Sequence, residues 1–246
     1  MNESGNALPR DGGLRIMFAT GGVFALLSAL GAVADVCIGM VTGGTVAALP
    51  HDAVGRFAQL AATPALGLYN LDLLNLVTTL MMVAVLYACW LALRQESQAA
   101  GLALAIGVVG AAIFAANNSA LAMLGLARDF ASADAARKNL LAAAGEALLA
   151  KGAHGSPGVL AGFLLSATAN LLLAGSMLRT RIFSRITGLF GLCGNALLGI
   201  YLVLVTLLPQ VQGKAIAFAV PGGLMAIGWL TMVAAGLFGM TRTAPR

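Results

Sequence analysis

An all-α, polytopic transmembrane bundle of six spans with one short extra helix is the fold class this sequence predicts, and three observations lead there. Hydrophobic residues make up 60% of the chain and charged residues only 9%, against about 25% charged in soluble domains. The mean hydropathy is +0.93, and apolar runs of span length recur along the chain, each closed by polar or basic residues. Aromatics are sparse at 6% while glycines number 31, a usage that suits helices packed closely through small side chains and not a barrel with aromatic girdles.

Residues 1–13, with Gly5, Pro9, Gly12 and Gly13, read as a polar N-terminal tail, and one transmembrane domain is expected over 14–240. The first span covers about 16–40. Within it Ala32, Val33 and Ala34 precede Asp35 in the manner of a signal-peptide cleavage site. The apolar character nevertheless continues through Val36 to Met40, so an uncleaved span is the expectation. A loop is expected from Thr42 to Thr63, then a second span over 65–93, closed by Arg94 and Glu96. The third span is 99–126. In the loop that follows, Asp134, Arg137, Lys138, Glu146 and Lys151 are interleaved with leucines, which predicts a short interfacial or cap helix over about 132–151. The fourth and fifth spans are 158–178 and 186–208. The sixth, 215–240, is interrupted by Pro221, Gly222 and Gly223, which should kink it or delay its start. Residues 241–246 form a C-terminal tail. The two halves show no internal repeat, so the sequence gives no support to an inverted-repeat transporter.

An even number of spans puts both termini on one face. That face holds Arg10, Arg15, Arg94, Arg179, Arg181, Arg185, Arg242 and Arg246, whereas the short loops opposite supply Arg56 and Lys214. The long third-to-fourth loop adds Arg128, Arg137, Lys138 and Lys151, which weakens the bias without reversing it, and both termini are expected to be cytoplasmic. The net charge of +5 comes from helix ends and not from a basic patch with interleaved aromatics, so nucleic acid is not an expected partner. Cys37, Cys89 and Cys193 all fall in apolar runs without metal or disulfide spacing.

Chemistry concentrates where polar residues interrupt the apolar runs. On a continuous second-span helix, Tyr69, Asp72, Asn75 and Thr79 would form one polar stripe. Together with Asp35 in the first span and Asn117 and Asn118 in the third, they would reach a similar depth. No Lys, Arg or His lies within the expected spans, so Asp35 and Asp72 would stay protonated, share hydrogen bonds with Tyr69, Asn75, Asn117 or Asn118, or accept a cation from outside. The asparagines, Asn170 and Asn195 among them, also have a structural reading as hydrogen-bonding links between helices. His51 and His154 read as solvated loop residues. With no motif for a nucleophile, a metal or a phosphate loop, the sequence points to no catalytic set, no metal and no cofactor.

Four stretches together resemble the bacterial membrane family known as domain-of-unknown-function 4386. They are the aspartate late in the first span, L-D-L-L-N at Leu71 to Asn75, A-N-N-S-A at Ala116 to Ala120 followed by A-G-E-A-L-L-A at Ala144 to Ala150, and G-L-C-G-N-A-L at Gly191 to Leu197. The resemblance runs from about Leu14 to Gly239 and implies a small polytopic protein of the bacterial inner membrane. Positions matching it are Asp35, Asp72, Asn75, Asn117, Glu146 and Asn195, and it assigns none of them a role.

The functional expectation is an outer-leaflet polar pocket that binds or passes a small cationic or proton-coupled ligand, with Asp35, Tyr69, Asp72, Asn75, Asn117, Asn118, Glu146 and Asn195 as its residues. A non-catalytic accessory subunit that docks a partner through residues 127–157 is the alternative. An intramembrane enzyme using Asp72 or Glu146 as acid or base stands third, for want of a nucleophile or metal set. The bilayer is the expected surrounding, and the glycine-rich helices leave room for a homo-oligomer.

Overall fold

The computed structural model describes residues 10–42 and 49–243, and among them the chain is helical with no strand. Six long helices form the body: α1 (Arg10–Thr42), α4 (Leu73–Leu93), α5 (Gln98–Asn117), α8 (Pro157–Arg179), α9 (Arg185–Leu207) and α10 (Gln212–Thr243). Among the described residues six helices are long and apolar enough to cross a bilayer, so this is an all-α polytopic membrane protein. Four shorter helices, α2 (Ala53–Ala62), α3 (Pro64–Tyr69), α6 (Ala120–Ser132) and α7 (Ala135–Gly152), lie between them in sequence.

The long helices make a ring in chain order. Each packs on the next, α1 on α4, α4 on α5, α5 on α8, α8 on α9 and α9 on α10, and α10 returns to α1. At the closing wall the Arg15 guanidinium donates through Nε to the Thr241 carbonyl at 3.0 Å. Small residues set these distances. A side chain at Gly21 would strike the Cβ of Ala88, and one at Gly110 would meet the backbone of Gly162 and Ser166, the close approach expected where lipid supplies no hydrophobic drive for helix association. The centre is filled by Phe18, Val85, Leu93, Leu173, Met177, Trp229 and Val233.

The short helices form a cap with a separate core of Phe57, Leu60, Leu71, Met123, Ala127 and Leu149. Helix α2 carries its buried residues at Ala53, Arg56, Phe57 and Leu60, the i, i+3, i+4, i+7 spacing of one helical face. Its start is held twice: the Asp52 side chain accepts from the Gly55 amide at 2.6 Å, and Glu146 Oε1 from the Ala53 amide at 2.6 Å. Such caps satisfy donors that have no partner within the helix, at about 1 kcal/mol each.

Several expectations need correction. The segment read as a loop from Thr42 to Thr63 contains α2, because its apolar residues have helical spacing behind an Asp cap. The second span is not one helix from Ala65 to Leu93. It breaks between α3 and α4 at Asp72, whose φ of 62° puts it in the left-handed region. The third span likewise stops at Asn117 and resumes as α6 at Ala120. Helix α10 runs from Gln212 through Pro221 as one element, which overturns the alternative of a delayed start, and Arg10–Gly13, read as tail, already belong to α1. Residues 1–9 and 244–246 of the expected tails lie outside the described residues.

Candidate functional site

The two breaks face each other where cap meets ring. Asp72 closes α3, its amide donating to the Tyr69 carbonyl at 3.0 Å, and its own carbonyl accepts from Leu76 at 2.9 Å to open α4. Asn118, at the other break, donates from Nδ2 to the carbonyls of Leu71 at 3.1 Å and Asp72 at 3.3 Å, and its Oδ1 accepts from the Ala120 amide at 3.1 Å. One amide side chain therefore starts α6 and holds the left-handed turn of its neighbour.

That turn aims the Asp72 carboxylate inward, where it is 5% exposed. Asn75 Nδ2 donates to Oδ1 at 2.9 Å, and His154 Nδ1 lies 3.1 Å from both oxygens. The expectation that Asp72 has no basic neighbour is thus overturned. Its partner comes from the Ala153–Ser156 link between α7 and α8, outside every expected span, which also corrects the reading of His154 as a solvated loop residue. Where the carboxylate is ionised it can only accept, so the contact then needs its proton on Nδ1, and Nε2 is the nitrogen left to gain or lose one.

Arg56 enters from α2. It is 6% exposed, and its Nε and Nη1 are enclosed without a hydrogen-bond partner among the described residues. Burial disfavours its charged form, and the Asp72 carboxylate partly offsets this. Arg56 and His154 line a cavity of about 310 Å³, with Glu146 and His51 exposed at its rim. Among the described residues no group of three or more His, Cys, Asp or Glu side chains could hold a metal ion.

The other expected residues divide. The Tyr69 hydroxyl donates to Asp35 Oδ1 at 2.8 Å and also contacts the Asp35 carbonyl at 3.0 Å, so Asp35 too has a partner, and the pair ties α1 to α3. Tyr69→Phe should leave Asp35 without this donor and lower stability by about 1–3 kcal/mol; an unchanged unfolding midpoint would refute that tie. Tyr69, Asp72, Asn75 and Thr79 do not form the expected stripe, since the helix is broken. Asn117 is drawn out of the pocket, donating to the Gly158 carbonyl at 2.8 Å, and Glu146 serves α2 as described above. Asn195 joins a different place: it accepts from Asn170 at 2.9 Å and donates to the Gly191 carbonyl at 2.8 Å, linking α8 to α9.

Sequence reasoning missed Arg56 and His154. Arg56 had a signal, a basic residue at a core position of an amphipathic pattern. His154 had none in its spacing, because 82 residues separate it from Asp72.

Compared with family models, with curated proteins and with solved structures, the chain shows no match.

Proposed function

We propose that the protein binds a small polar ligand in the cavity between cap and ring, and that the Asp72 and His154 pair exchanges a proton as the ligand enters or leaves. In the expected orientation, with both termini cytoplasmic in a bacterial inner membrane, the cavity opens outward. The carrying observation is the imidazole held by both oxygens of a buried carboxylate while its ring lines the cavity. Of the two ligand classes the sequence suggested, a bare cation loses ground, because the carboxylate already receives the imidazole and Asn75. Proton coupling gains it. The charged groups acting on the ring are the carboxylates of Asp72 and Asp35 and the guanidinium of Arg56, with Glu146 and His51 at the rim.

The test is proton flux in liposomes holding the full chain, followed with an entrapped pH-sensitive dye. Asp72→Asn keeps the side-chain shape and removes the charge that fixes the imidazole, and flux should fall about tenfold or more, in line with the contribution of a positioned acid or base. Equal flux in wild type and variant would end the proposal.

A further inference from the structure

We infer that the ligand presents an oxyanion, a carboxylate or a phosphoryl group, to Arg56. This rests on the cavity being the ligand site and names the chemistry it takes.

A guanidinium has five donors and no acceptor, and burying it without partners is costly unless a counter-charge arrives. Arg56 is such a group: it belongs to the buried face of α2, its Nε and Nη1 are sealed, and no hydrogen bond from its side chain is found among the described residues. Asp72 acts on it at a distance but is not within ion-pairing range, since the carboxylate is turned to His154. Glu146 lines the same cavity, yet its Oε1 is committed to the Ala53 amide, and it too forms no ion pair with Arg56. Arg56 therefore lines a solvent-connected cavity with its charge uncompensated at short range. Nη2, the guanidinium nitrogen that is not enclosed, is the donor open to a carboxylate or phosphoryl oxygen, whose charge would offset that of the buried group. Bound there, the anion would also favour the proton on His154, giving proton and ligand a common direction of movement.

The experiment uses the full chain in detergent at constant chloride, with three probes: butyrate, inorganic phosphate, and butyramide as the uncharged counterpart of butyrate. The melting temperature of the wild type should rise by about 2–4 °C with butyrate or phosphate, and whichever acts identifies the oxyanion class, while butyramide leaves it unmoved. Arg56→Met, which keeps the buried stem and drops the charge, should lose the response. Arg56→Lys keeps the charge without the fork and should show a smaller shift, which preserves the test if the Met variant does not fold. The inference is overturned if neither anion stabilises the wild type, if butyramide acts as butyrate does, or if the shift survives undiminished in the substituted chains. Anion stabilisation together with flux indifferent to Asp72→Asn would sink the proton reading and leave this one. Flux that depends on Asp72 with no anion response would do the reverse.

Discussion

Asp72→Ala is expected to cost about 3–5 kcal/mol of unfolding free energy in detergent, because it leaves the half-buried imidazole of His154 without its carboxylate partner and removes the negative charge that partly offsets the burial of Arg56. Asp72→Gly loses the same carboxylate but should recover about 1–2 kcal/mol of that, since a φ of 62° penalises any residue with a Cβ and glycine adopts it freely. The difference between the two variants thus isolates backbone strain from charge. Equal stabilities would mean that the turn is not strained, and a loss below about 1 kcal/mol in both would mean that the pair is not a closed electrostatic unit. Backbone strain of this kind at a buried carboxylate is a feature of functional sites, and here Asn118 supplies the hydrogen bonds that maintain it.

Gly152→Ala is the second large effect. A Cβ at this position would run into the Asn117 carbonyl and crowd Ser119, and the obstacle is backbone, which cannot rotate away as a side chain can. The loss should be about 1–3 kcal/mol, the usual range of overpacking costs, and should be localised. The turn after α7 would lift from the break between α5 and α6, carrying His154 away from Asp72. Limited proteolysis should then cut the cap faster while the ring helices keep their protection; a cleavage pattern unchanged from wild type would show that the turn tolerates the methyl group.

Much of the architecture could be read from composition, because a run of apolar residues long enough to cross hydrocarbon has few other fates. The extra helix before the fourth span was legible for a related reason: charges alternate with Leu140, Leu141, Leu148 and Leu149, and α7 occupies Ala135–Gly152. What remained hidden were the interruptions. Nothing in L-D-L-L-N marks Asp72 as left-handed, since leucine propensity favours a continuous helix and the turn is held by Asn118, which reaches across from the break between α5 and α6. The partner of Asp72 was hidden because counting bases inside the spans leaves out a link that folds back onto the ring. Which partners Asp35 and Asp72 meet, Tyr69 for one and His154 for the other, depends on chain separations of 34 and 82 residues, beyond the reach of local spacing.

The order of helices in the ring leaves one wall unlike the rest. Five of its six contacts join helices that follow one another along the polypeptide, whereas α10 meets α1 with no intervening backbone, secured by packing and by Arg15 on the Thr241 carbonyl. Separation at that wall would stretch no peptide link. What holds that wall shut is therefore side-chain packing together with the guanidinium-to-carbonyl hydrogen bond, whereas every other pair of neighbours is also tethered through the chain.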